Sequence, residues 1–372
     1  MIPFNEPERN ALERATGQMA AAGVDALLIG PSADLYYLVG YHALPLERLT
    51  LLVVRADGAH ALVVPRLERP RVEQSSAAGL VPIHDFGETD DPFTLVGRLL
   101  DGVRPGATLG VGDRLWAVFV LGLQASQPEA KWTRASVVTR ELRMRKAPAE
   151  IDALRRAAQA IDRVHARVPR FLRPGRTEAE VGRDIADAIL DEGHQEVNFV
   201  IVGSGPNGAS PHHETGDRAL VEGDAVVVDI GGTLDGYCSD CTRDYLVGSP
   251  APPGYAEAHA ALEAAQRAAC EAVRPGVTAE AVDAAARDLL TEAGYGEAFI
   301  HRTGHGIGLE EHEEPYIVGG NDLVLQPGMV FSIEPGVYLE GRFGMRIEDI
   351  VVVTEVGCER LNQLPRGVVV VP

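Results

Sequence analysis

Five residues in the last third of the chain carry side chains suited to binding metal ions: Asp229, Asp240, His305, Glu334 and Glu348. Asp229 ends the apolar run Val226-Val227-Val228, and Asp240 follows eleven residues later within Gly236-Tyr237-Cys238-Ser239-Asp240-Cys241-Thr242-Arg243. His305 lies in Thr303-Gly304-His305-Gly306-Ile307-Gly308, Glu334 in Ser332-Ile333-Glu334-Pro335-Gly336, and Glu348 in Met345-Arg346-Ile347-Glu348-Asp349. Four carboxylates and one imidazole make an oxygen-rich donor set. Such a set suits Mn, Co, Fe or Zn in a two-metal site rather than a thiolate zinc knuckle. The charges come close to balance, since four carboxylates and one hydroxide slightly more than offset two divalent ions.

The elements around these residues favour burial. Asp229 closes an apolar strand just before Gly231-Gly232, and a buried carboxylate is costly unless it is paired or metal-bound. Glu334 follows the apolar approach Val330-Phe331-Ser332-Ile333. Arg346 and Glu348, two apart, share one face of a strand, which reads either as a same-face ion pair or as a ligand with an orienting cation. Asp240 and Asp244 both follow Tyr237, and spacing alone does not choose between them. Cys238 and Cys241 bracket Asp240 as C-x-x-C, but no second pair completes a four-thiolate site. They read as small residues along a strand, and Cys270 and Cys358 read as structural.

These phrases carry a family likeness. The spacing of all five candidate ligands resembles that of the creatinase, prolidase and aminopeptidase P family of pita-bread metallopeptidases. So do His301-Arg302-Thr303-Gly304-His305-Gly306-Ile307-Gly308-Leu309-Glu310 and Ile333-Glu334-Pro335-Gly336-Val337-Tyr338. The resemblance spans nearly the whole chain and is strongest from about Glu141 onward. It implies Asp240 rather than Asp244 as the ligand, and functional roles for His212, in Ser210-Pro211-His212-His213-Glu214, and His312, seven residues after His305. It implies hydrolysis of a peptide bond by a hydroxide bridging two divalent ions, most like Mn with Co or Zn possible. Glu334 would move the water's proton, and His212 and His312 would stabilise the tetrahedral intermediate. Arg346 would assist, and Tyr237 would stand near the substrate amine beside Asp229. The expected activity is that of an Xaa-Pro dipeptidase, with aminopeptidase P as the alternative and a metal-free peptide-binding module as the outside reading. Small proline-containing peptides are then the substrates, and Arg302, Arg342 and Arg346 are candidates to hold the proline carboxylate. Relatives commonly read Thr-Arg-Thr where this chain has Thr242-Arg243-Asp244, so Asp244 either tunes the metal or pairs with Arg243. A homodimer is also implied.

Composition fits this reading. A chain of 372 residues suits two domains, and 45% hydrophobic residues are ample for their cores. A net charge of −20 argues against nucleic acid or anionic membrane as partner. No run of eighteen apolar residues suggests a membrane span, and no signal peptide is expected from Met1-Ile2-Pro3-Phe4-Asn5-Glu6. Four cysteines do not form a disulfide scaffold, so the cytoplasm is the expected compartment.

The fold class expected is two-domain α/β (α+β): a creatinase-like domain with a mixed sheet over residues 1–140 and a pseudo-twofold pita-bread catalytic domain over 141–372. In the first, a helix near Asn10 to Ala22, a strand Ala26-Leu27-Leu28-Ile29, a hairpin around Asp57-Gly58 and a strand Leu109-Gly110-Val111 are predicted. Tyr36, Tyr37, His42 and Arg48 read mainly as packing residues that could also reach substrate. In the second, Pro148 opens a helix carrying Ile151, Leu154, Ala158, Ile161, Val164 and His165, the last read as a surface or packing residue. Arg173-Pro174-Gly175-Arg176-Thr177 is echoed by Arg274-Pro275-Gly276-Val277-Thr278, each followed by a helix, a glycine and a strand. Thr177 and Glu180 fit a capping box.

Overall fold

The computed structural model describes residues 11–371, and the described chain divides into two compact units at Arg143 and Met144. Residues 1–10, where the expected helix begins and on which the absence of a leader was read, lie outside the described residues.

The first unit is built on a six-stranded mixed sheet in the order β4-β3-β2-β1-β5-β6. Its strands are β1 Ala26–Ile29, β2 Leu51–Arg55, β3 Ala61–Pro65, β4 Ile83–Phe86, β5 Thr108–Val111 and β6 Lys131–Arg134. The hairpin β2–β3 is antiparallel, and Gly58 takes the left-handed conformation (φ 85°) that the turn needs. Helix α1 (Ala11–Ala22) stops at Gly23 as expected, with Ala11, Leu12, Ala15 and Met19 buried along one face. Helices α2 (Pro92–Leu99) and α3 (Ala117–Ser126) bring Val96, Phe119 and Leu123 into the core with Leu28, Leu51 and Val53. The residues weighed as possible substrate contacts are occupied locally. Tyr37 donates its hydroxyl to the Leu142 carbonyl at 3.0 Å, Tyr36 leans on the His42 ring, and Arg48 pairs with Glu88.

The second unit has two similar halves. In the first half, helices α4 (Pro148–His165) and α5 (Glu178–Asp191) cover a sheet of β7 (Glu196–Ser204), β8 (Ala225–Leu234) and β9 (Tyr237–Val247), with β17 (Val369–Val371) added parallel to β9. In the second, α6 (Tyr255–Ala272) and α7 (Ala279–Glu292) pack on a sheet of order β11-β10-β12-β15-β16. Those strands are β10 Gly304–Gly306, β11 Glu313–Ile317, β12 Val330–Ile333, β15 Asp349–Val353 and β16 Cys358–Arg360; the ribbon β13 (Gly336–Leu339) and β14 (Phe343–Arg346) lies between β12 and β15 in sequence.

The sequence repeat is repeated in the hydrogen bonding. Gly175 and Gly276 adopt φ of 88° and 87°, and their N–H groups donate to the Leu220 and Leu325 carbonyls at 2.8 and 3.0 Å. Thr177 bridges Ala219, and Thr278 bridges Val324. Thr177 and Glu180 complete the expected capping box. Each half has its own apolar core: Ile161, Ile185, Val202 and Val228 in one, Leu262, Val282, Phe331 and Val351 in the other.

The structure decides between alternatives at two positions, leaving the packing reading for His165. His165 is not on the surface: it is 2% exposed, with Nε2 at 3.0 Å from the Cys241 carbonyl and Nδ1 at 3.0 Å from the Tyr245 hydroxyl. Arg243 does not pair with Asp244; it reaches Asp349 at 2.6 Å.

Candidate metal centre

A two-residue turn sets the first part of the site. Asp235 and Gly236 both take left-handed conformations (φ 54° and 83°), the backbone of a tight hairpin between β8 and β9. The register that follows puts Asp229 opposite Thr242, Gly231 opposite Asp240 and Val227 opposite Asp244. Side chains alternate along a strand, so Asp240, Thr242 and Asp244 share one face. Gly231 is required because a Cβ there would lie 2.4 Å from the Phe199 ring.

The second half supplies the other groups. Gly304 lets β10 approach β12 closely, since a Cβ would fall 1.8 Å from the Ser332 carbonyl oxygen. The next residue, His305, donates its N–H to Ser332 Oγ at 3.0 Å, and that hydroxyl lies 3.0 Å from Glu334 Oε1. His305 Nδ1 donates to the Gly306 carbonyl at 3.1 Å, which turns Nε2 toward the acids. Nε2 is 3.1 Å from Glu334 Oε1 and 3.7 Å from Asp240 Oδ2. Glu348 follows β14, its N–H donating to the Thr242 carbonyl at 3.3 Å.

All five acids and histidines predicted as ligands therefore line one cleft of about 590 Å³, together with His212, His312 and Arg346. Tyr237 does not line it: its ring is buried against Ala153, Leu154 and Ile307, and its hydroxyl meets Glu150 Oε1 at 3.1 Å. Arg342 also lies apart, donating to the Pro253 carbonyl. Arg346 is in the cleft but is not paired with Glu348. Its guanidinium forms an ion pair with Asp229 and donates to Thr242 Oγ1 at 3.0 Å and to the Tyr338 hydroxyl at 2.8 Å.

The electrostatics fit cations. Burial first, then repulsion from neighbouring acids, pushes the Asp240 and Glu348 carboxyls well above the usual range. Burial also works against the Glu334 carboxylate, but the adjacent His305 outweighs it and holds the group down at about 2. Asp240 Oδ1 and Glu348 Oε1 are buried oxygens without a hydrogen-bond partner among the described residues. Single ligand atoms of Asp240, His305 and Glu348 lie within 4.8 Å of one another. Buried acids, two of them with unsatisfied oxygens, beside an imidazole whose Nε2 faces them are the donors a divalent ion of the Mn, Co or Zn type would use.

Comparison with known proteins agrees. Residues 152–355 match the family described as Metallopeptidase family M24, and residues 12–145 match the Creatinase/Prolidase N-terminal domain. The chain belongs to metallopeptidase family M24. A Mycobacterium tuberculosis protein named Probable dipeptidase PepE is 58% identical over 97% of this chain and 96% of its own length. The crystal structure of dipeptidase PepE from Mycobacterium ulcerans superposes with a TM-score of 0.94 at 54% identity, covering 98% of this chain and 97% of that one. That of a recombinant prolidase from Thermococcus sibiricus gives 0.91 at 35% identity, covering 98% and 99%. The chain is thus a metallopeptidase dependent on divalent metal, and among its described residues no helix is long and apolar enough to cross a membrane.

Several residues that shape this M24 site were not singled out from sequence. The Thr242 hydroxyl lies 2.8 Å from Asp229 Oδ1 and 2.7 Å from Glu348 Oε2, joining the two acids. Beyond Arg346, the Tyr338 hydroxyl meets His301 Nε2 at 2.9 Å, and His301 Nδ1 donates to the Arg302 carbonyl at 2.7 Å. Hydrogen bonds thus join Asp229 to the backbone of Arg302 through Arg346, which donates toward both ends. His213, next to His212, donates to Glu178 Oε2 at 2.7 Å. Glu178, wholly buried, also accepts from Ser204 N–H and hydroxyl, Asn207 Nδ2 and Gly216 N–H. One carboxylate thus gathers the loop that carries His212. The signal for it was a glutamate at the first position of a capped helix.

Proposed function

We propose that this enzyme hydrolyses Xaa-Pro dipeptides with two divalent metal ions, Mn foremost, held by Asp229, Asp240, His305, Glu334 and Glu348. The observation that carries the reading is the gathering of all five donors and two further histidines on one cleft, with two carboxylate oxygens left unsatisfied. The names of the similar proteins, dipeptidase and prolidase, support small peptides as substrates.

Divalent ions in this site would acidify a water and polarise the scissile carbonyl. Glu334 lines the cleft with these donors and is placed to accept the water's proton, which it later delivers to the leaving nitrogen. His312 lies against His305, with ring centroids 3.9 Å apart and planes tilted by 41°, and burial foremost brings its pKa down to about 4. It is neutral at pH 7, and with His212 it donates to the carbonyl oxygen as charge develops there. Arg346 holds Asp229 in place. Phe199, Ile201 and Ile300 offer an apolar wall to the proline ring. Proline gives a tertiary amide with no N–H and a restricted preceding residue, so a shaped pocket suits it. The reading takes the enzyme as cytoplasmic and dimeric; four unpaired cysteines agree with the compartment.

The test compares Ala-Pro with Ala-Pro-Ala in metal-free buffer and with added Mn. Mn-dependent cleavage of the dipeptide is expected, with the tripeptide at least ten-fold slower in kcat/KM. Preference for the tripeptide would replace the dipeptidase reading with aminopeptidase P, and no cleavage of either would overturn it.

A further inference from the structure

We infer that Arg302 is the specificity-determining cation that captures the substrate's C-terminal carboxylate, an inference that rests on the dipeptidase reading above. Among the described residues the cleft wall carries two guanidinium groups, Arg302 and Arg346. A dipeptide brings a free carboxylate close to the scissile bond, and a longer peptide does not. A dipeptidase therefore gains selectivity from a cation at that point. Arg346 cannot serve. It is 4% exposed and committed to Asp229, Thr242 Oγ1 and the Tyr338 hydroxyl, so turning it outward would release Asp229.

Arg302 has the opposite character. It is exposed on the cleft wall, and no carboxylate among the described residues pairs with it. Its guanidinium carbon lies 4.5 Å from the centre of the Tyr316 ring. A guanidinium resting over an aromatic ring still offers an N–H fork, which can bind a carboxylate with two hydrogen bonds. Arg302 is three residues before His305 and lines the same cleft as His305, His312 and Glu334, so it stands near the groups of the reaction.

The backbone beneath it is also fixed. The Arg302 carbonyl accepts from His301 Nδ1, the His301 carbonyl accepts from Arg287 at 2.8 Å, and Thr303 donates its N–H and hydroxyl to Asp283 at 3.1 and 2.8 Å. A cation on a rigid backbone, held by an aromatic face, loses little freedom when it binds.

The experiment measures kcat/KM for Ala-Pro and for its C-terminal amide, which keeps the shape and removes the charge. Wild type, Arg302→Met and Arg302→Lys are compared, each with its bound Mn determined. The wild type is expected to prefer the acid by at least ten-fold. Arg302→Met is expected to abolish that preference, and Arg302→Lys to restore part of it, because the charge returns without the fork. An equal loss on both substrates in Arg302→Met, or a wild type that cleaves acid and amide alike, would overturn the inference while leaving the dipeptidase reading in place. Cleavage of neither by the wild type would overturn that reading itself, and the inference with it.

Discussion

Thr242 illustrates what single residues contribute here and what the sequence hides. Its hydroxyl has one proton for two carboxylates, Asp229 and Glu348, and it receives a third contact from Arg346 Nε. Two buried acids and a cation are thereby held around one atom. Asp229 and Glu334 were legible because each follows an apolar run and so had to answer the cost of burial, whereas Asp240 was picked out from Asp244 only by the family resemblance. Thr242, Tyr338 and His301 were not legible, since a threonine in a strand or a tyrosine in a ribbon reads equally well as packing. The same limit left two readings for Arg346, an ion pair with Glu348 or an orienting cation, and did not show that its partner is Asp229. His165 makes a testable case. Its Nε2–H donates to the Cys241 carbonyl, and Nδ1 lies 3.0 Å from the Tyr245 hydroxyl, which itself donates to the His165 carbonyl at 3.1 Å. Burial, and then the charge of Arg243, lowers its pKa to about 3. Below pH 6.5 the unfolded chain takes up a proton that the folded chain refuses until about pH 3, so stability falls as pH drops through that window. From pH 6.5 to 5 this costs roughly 2 kcal/mol. Thermal melts of the wild type and His165→Gln should show a shallower acid loss in the variant; parallel curves would refute the assignment.

Elements place these residues through turns and caps. The Asp235-Gly236 turn fixes the β8–β9 register, and the signal for it was present in sequence as Asp-Gly between two strand-like runs. The repeated Pro-Gly phrase was legible and proved to mark matching hydrogen bonds in both halves. Less legible was the loop of residues 204–216, which has no periodicity and is ordered by Glu178 at the start of α5. Removing that carboxylate leaves several buried donors unmatched, at a cost of about 2–3 kcal/mol. Glu178→Ala is therefore expected to lower Tm by several degrees and kcat/KM by at least ten-fold, through misplacement of His212, while Mn content is unchanged. Activity equal to wild type in a folded Glu178→Ala variant would mean that the loop, and His212 with it, does not depend on this anchor.

At the scale of the molecule, the second unit is one α/β half repeated, with acids from β8 and β9 of the first half facing His305 and Glu334 of the second. Several acids are buried together here, and their mutual repulsion is what bound cations would relieve. The two-domain α/β class was legible from composition and repeat, and membership of the M24 family from the phrases around His305 and Glu334. The central claim is that the five donors hold two metals. The most direct measurement is titration of chelator-treated protein with Mn, counted per chain by calorimetry and by elemental analysis after dialysis, for the wild type and for Glu348→Gln. The account predicts two Mn per wild-type chain and fewer or much weaker ions in the variant. A wild-type chain that saturates at one ion or none, or a variant that binds as the wild type does, would contradict it.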